Sequence, residues 1–147
     1  MNEDTFVRSL QRRIQRDHPG AVILRPNDRS TEGIPDLLVY HRICVAALEC
    51  KSVGHDPRDP DAPWLSHPFS MPQATLLRDL ASQGVVALGL VEHMTSGRVY
   101  ALHPRGISPS LSLTNVMNFG CLLPPDGSGR ILENLKFAMG HTLARRS

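Results

Sequence analysis

Lysine is almost missing from this sequence. Of its 16 basic residues only Lys51 and Lys136 are lysines, and the other 14 are arginines. A GC-rich coding sequence is the plain explanation of that bias, yet it makes the lysine directly after Glu49-Cys50 conspicuous. Lysine is not a neutral substitute for arginine, because its ammonium is a compact point charge. The formal net charge of +2 is too small by itself to predict a nucleic-acid partner. Cysteine is scarce as well. Cys44, Cys50 and Cys121 are odd in number, widely spaced, and form no CxxC pair. That pattern argues against a disulfide frame or a zinc knot and for reduced thiols in a cytoplasmic setting. No apolar run approaches the roughly 18 residues of a membrane span. The opening MNEDTFVRSLQRR contains no apolar h-region, so no signal peptide and no membrane partner are expected. No internal repeat is visible.

What is present is enough for one folded unit. A chain of 147 residues with 41% apolar side chains is read as a single domain over 1–147 with a real core. Residues 3 to about 17 predict a helix, because Phe6, Val7, Leu10 and Ile14 recur at helical spacing while Arg8, Arg12, Arg13 and Arg16 lie off that stripe. Asn2 is a candidate N-cap, and Glu3 and Asp4 suit the positive end of the helix dipole. His18-Pro19-Gly20 stops the helix. Ala21–Leu24, Asp36–Tyr40 and Cys44–Cys50 are predicted strands, the last two joined tightly near His41-Arg42. Residues 52–69 form a proline-rich loop long enough to be either functional or disordered. Ser70 and Gln73 read as a capping box, opening a helix to about Ser82 with Leu76, Leu77 and Leu80 inward; Gly84 ends it. Val85–Val91 reads as a central strand and Gly97–Leu102 as another. Leu111–Phe119 is helix or irregular, and Ile131–Leu143 a last helix. The expected fold is therefore α/β: a mixed sheet flanked by helices. Its first three strands form an antiparallel meander, and a parallel strand follows through a crossover. The core is placed at about 3–102, with 103–147 as a C-terminal extension.

The chemistry concentrates at the ends of two strands. Asp36 opens one and Glu49 closes the next, with twelve residues between them. In a hairpin these ends are neighbours, so the two carboxylates lie side by side and repel. A divalent cation relieves such repulsion, and Mg²⁺ is commonly held by one or two protein carboxylates. Strand alternation puts Glu49 and Lys51 on one face and turns Cys50 to the other, with the Cys50 backbone carbonyl still available to a metal. This set suits phosphodiester hydrolysis: the metal polarises phosphoryl oxygens and acidifies a water, while Lys51 orients that water or neutralises developing charge.

Pro35-Asp36, twelve residues, then Glu49-Cys50-Lys51 resembles the motif of the PD-(D/E)xK nucleases. The "GIPDLLV" bend resembles the G-x-P-D-L/I of the VRR-NUC and archaeal Holliday-junction resolvase groups. Ser70 and Gln73, with Leu76, Leu77, Leu80 and Gly84 after them, resemble the S-x-x-Q…L…G of the VRR-NUC group. The likeness spans residues 3 to about 91. It implies a restriction-endonuclease-like sheet of order helix-strand-strand-strand-helix-strand. It also implies a Mg²⁺-dependent endodeoxyribonuclease, with Mn²⁺ able to substitute and branched DNA such as a Holliday junction as substrate. Asp36, Glu49, Glu3 and the Cys50 carbonyl are the implied metal set, and Lys51 and Gln73 join Asp36 and Glu49 in catalysis. Arg25, Arg29 and Ser70 are the candidate DNA contacts. Cutting a junction on two strands implies a homodimer, in a bacterial or phage-infected cell. The 52–69 loop is longer than the family pattern, and the tail after Leu102 matches no part of it.

Blander readings stand beside these. Asp36 can cap a turn, Glu3 can serve only the helix dipole, and Gln73 can serve only the capping box. Arg25 and Arg29 can be solvated surface. His55, His67, Asp56, Asp59 and Asp61 read as a solvated loop rather than a metal site, and Trp64 as the residue that packs the loop down rather than one that stacks on a base. Two other functions remain open: a restriction or repair nuclease acting on linear or flapped duplex, and a DNA-binding structural module with a silenced site.

Overall fold

The computed structural model describes residues 3–26 and 33–146, with side chains through Thr142. Asn2 and Arg29, named above as a cap and a DNA contact, lie outside the described residues. The chain runs α1 (Glu3–Asp17), β1 (Val22–Leu24), β2 (Leu37–Tyr40), β3 (Val45–Val53), α2 (Met71–Ser82), β4 (Val86–His93), β5 (Arg98–Leu102), a 3₁₀ turn (Pro104–Gly106), α3 (Leu113–Phe119), β6 (Cys121–Leu122) and α4 (Ile131–Arg146). The six strands form one mixed sheet in sequence order. β1, β2 and β3 are the expected antiparallel meander, and β3 pairs parallel with β4 across the α2 connection. β5 and β6 then add antiparallel.

Alternation along the strands sorts the core into two layers. On one face Leu37, Val39, Ala46, Leu48, Cys50, Leu88 and Leu90 pack against the apolar stripe of α1 and against Ile131, Leu132, Leu135 and Ala138 of α4. On the other face Ala47, Val53, Val91, Tyr100 and Leu102 pack against Leu77 of α2, the 3₁₀ turn, α3 and the long loop. The loop is folded down by Trp64, Leu65 and Phe69, all buried. The Trp64 indole N–H donates to the His55 carbonyl (2.9 Å) and its backbone N–H to the Leu111 carbonyl (2.9 Å).

Three expectations change. β3 does not stop at Cys50 but runs on to Val53, because its parallel register with β4 continues to Val53↔His93. The segment after 103 is not an extension outside the core. Residues from α4 complete one of the two layers, and the end of α1 holds α4 in place: the N–H groups of Ile131 and Leu132 donate to Asp17 Oδ2 (3.0 Å) and His18 Nε2 (3.0 Å). These are two of the N–H groups that a helix start leaves without an internal partner. Finally, the stretch 111–119, open between helix and irregular, narrows to a helix over Leu113–Phe119, opened by its own Ser112/Asn115 capping box.

Among the described residues no helix is long and apolar enough to cross a membrane.

Candidate active site

The site is made by a difference in length between neighbouring strands. β2 and β3 pair only as far as Leu37↔Leu48, while β3 continues beside β4 for five more residues, Glu49 to Val53. The edge of β3 that β2 leaves uncovered is filled at its first position by a side chain. The Cys50 N–H donates to Asp36 Oδ2 (2.8 Å). Asp36 thus continues by side chain the ladder that β2 ends by backbone. The N–H and C=O of one strand residue point to the same side, so the Cys50 carbonyl faces that same uncovered edge. Cys50's side chain is on the opposite face, fully buried.

Glu49 and Lys51 share the face toward α2 and are 4% and 7% exposed. Gln73 Nε2 donates to Glu49 Oε1 (3.2 Å). The same Gln73 accepts from the Ser70 N–H through Oε1 (2.8 Å), and its own N–H donates to Ser70 Oγ (3.2 Å). Cap and bridge are therefore one side chain, with the start of α2 holding Glu49 in position. Glu49 Oε2 is buried and has no hydrogen-bond partner. Burial first, then the charge of Asp36 and the proximity of its oxygens, and then Glu3, push the Glu49 carboxyl up to about 9; the Lys51 ammonium opposes them. While both Asp36 and Glu49 are ionised, Oε2 faces repulsion without a donor. A proton or a cation removes that cost.

Two glycines shape the surroundings. Gly33 has a left-handed φ of +82°, and a Cβ there would come within 2.5 Å of the Pro72 backbone. The turn carrying Pro35-Asp36 is thereby pressed against the first turn of α2. Gly89 pairs with Glu49 across β3 and β4, and a Cβ on it would meet Ile107 at 2.6 Å and the Phe69 ring at 2.9 Å. Phe69 fills this gap, and Lys51 Nζ lies 5.6 Å from the centroid of its ring, a cation–π distance. Sequence reasoning missed Phe69 and Gly89. The available signal was a lone glycine inside an otherwise apolar central strand, which marks a close approach.

The remaining candidates divide. Glu3 lies at the start of α1, near enough to raise the Glu49 carboxyl by its charge. Asp4, beside it, is engaged with Arg8 and Arg25 (2.7 Å each). Arg25 is thus paired with Asp4 at the surface, and Ser70 is occupied as the α2 cap while remaining exposed. Among the described residues no three His, Cys, Asp or Glu side chains converge as a ready metal set. The pair Asp36 and Glu49 nonetheless fits Mg²⁺, which needs only one or two protein carboxylates. The orphaned Oε2 is the observation that supports the fit. Compared with known proteins, the chain matches no family model, and no curated protein matches it.

Proposed function

We propose that this chain is a metal-dependent DNA endonuclease with a restriction-endonuclease-like core, and that branched DNA is its substrate. The observation that carries the reading is Glu49: a carboxylate buried beside a second carboxylate, with one oxygen held by Gln73 and the other unpartnered. Burying such a group is costly unless something compensates it. Perturbed acids of this kind gather at functional sites.

Bound Mg²⁺, or Mn²⁺ in its place, would polarise a phosphate and acidify a water. Asp36 and Glu49 would hold the cation, with the Cys50 carbonyl on the same uncovered edge and Glu3 adding negative field from α1. Gln73 fixes the rotamer of Glu49. Lys51, steadied over Phe69, donates to the attacking water or to a phosphoryl oxygen as charge develops there. A four-way junction is cut on two strands, so a homodimer presents paired sites.

The test is cleavage of labelled four-way junction, flap, linear duplex and single strand in Mg²⁺, Mn²⁺ or EDTA, with Asp36→Asn and Lys51→Met alongside. Metal-dependent cutting lost in both variants is expected, with the junction preferred. Equal cutting of linear duplex points instead to a restriction or repair nuclease. Binding without cutting in any metal overturns the enzyme and leaves a silenced DNA-binding module.

A further inference from the structure

A cavity opens on the same face of the sheet as Glu49 and Lys51. Its volume is about 390 Å³, and Trp64, His93, Tyr100, Met117, Asp56 and Arg98 line it. We propose that it receives a single unpaired nucleobase of the DNA whose backbone lies at Asp36, Glu49 and Lys51; the inference rests on the nuclease reading above.

Position is the first argument. Lys51 pairs with Val91, and Val91 with Tyr100. The three residues thus form a row across β3, β4 and β5, and Val91 and Tyr100 belong to the layer toward α2. Two strand spacings put Tyr100 about 10 Å from Lys51. That is the reach from a phosphate to the base of its own or the adjoining nucleotide.

Chemistry is the second. The walls are three ring systems and a thioether. The rings of Trp64 and His93 have centroids 6.2 Å apart, tilted by 34°. His93 is fixed at both ring nitrogens, by Ser96 Oγ (2.8 Å) and Asp56 Oδ1 (3.1 Å). A fixed aromatic wall is ready to stack on a base without paying to order itself. At the polar rim, Asp56 supplies an acceptor and Arg98 a donor, the two functions that a base edge presents in reverse. A paired base is held inside its stack, so only an unpaired or extruded one reaches such a cavity. The substrate class that follows is DNA with an unpaired nucleotide beside the cut: a flap, a bulge or the crossover of a branch.

Trp64 is the protein's single tryptophan and reports on this wall directly. In EDTA, which stops cutting, its emission is followed while binding is measured by anisotropy of a labelled strand. Single strand, and duplex with one unpaired nucleotide, should each quench Trp64; fully paired duplex should bind without quenching. Tyr100→Leu, checked for folding by circular dichroism, should weaken single-strand binding by about five- to a hundredfold, the range of a lost base–aromatic stack, and Arg98→Ala, at an exposed position, should weaken it by about tenfold, the scale of one lost charge-assisted hydrogen bond. Both should leave paired-duplex binding unchanged. Binding of every DNA with constant Trp64 emission, equal quenching by fully paired duplex, or no binding at all overturns the pocket. Quenching without cleavage under any metal keeps the pocket and overturns the nuclease; cleavage without quenching does the reverse.

Discussion

Cys50 and Glu49 sit one residue apart on β3, both sealed from solvent, on opposite faces of the sheet. On the Cys50 side the neighbours are Leu37, Leu48, Leu90 and the stripes of α1 and α4. Burial pushes the thiol up, and it stays neutral. On the Glu49 side a carboxylate, an ammonium and an amide are buried together at the start of α2. The first environment is ordinary core and is stable by exclusion of water. The second is unfavourable as it stands and becomes favourable once a proton or a cation arrives. Taking such charges out of water can cost more than their mutual attraction returns. The two faces of one strand therefore separate the residues that hold the sheet together from the candidate active site.

That separation can be broken from either side. The largest effect is expected on the apolar face. Leu132→Ala removes a fully buried side chain of α4 and should cost about 2–5 kcal/mol, read as a lower midpoint in urea; a negligible change would mean that α4 is dispensable to the core. On the charged face Lys51→Met, which keeps the side chain's length over Phe69, should lower cleavage by about 10²–10³-fold while leaving the urea midpoint nearly in place. A parallel loss of both would merge the two regions into one.

The charged face should also show itself through pH. The Glu49 carboxyl lies at about 9 in the fold against an ordinary 4.5, so the folded state binds a proton that the unfolded state releases. Metal-free protein should therefore lose stability as pH rises from about 4.5 to about 9. Glu49→Gln should flatten that slope, and Mg²⁺ should offset it at the alkaline end by binding the folded state. Melting curves across this range, with EDTA and with Mg²⁺, decide it; a slope that persists in the Gln variant belongs to another group. The smallest effect is at the link between helix and site. Ser70→Ala removes the α2 cap and should cost about 1 kcal/mol. It should also loosen Gln73 and so Glu49, which a rise in the metal concentration needed for half-maximal cutting would register.

Much of this was legible in the residues. The meander followed from short connections, the parallel addition of β4 from the length of what lies between, and the α2 cap from Ser70 and Gln73. Twelve residues between Asp36 and Glu49 on tightly joined strands were enough to bring their ends together. What escaped depends on partners distant in sequence. β3 reaches Val53 only because β4 is there to pair with it, and no local property of Ser52-Val53 announces that. The tail looked separate because its apolar positions gain their meaning from α1 and from the acceptors Asp17 and His18. Lys51 was visible, but its support was not: Phe69 reaches it over Gly89, a contact between residues far apart in the chain.

The contact between Gly33 and Pro72 carries a consequence for how the sequence can drift. A side chain at 33 has nowhere to go while the backbone of 72 stays in place. The two positions belong to segments that share no strand or helix, yet neither can change freely without the other. Relatives of this chain should therefore show covariation between the residue two before the proline of the P-D turn and the opening of the following helix. Where the glycine is replaced, that helix should begin later or further away. The turn bearing Asp36 and the helix steadying Glu49 would then be inherited together, as one unit.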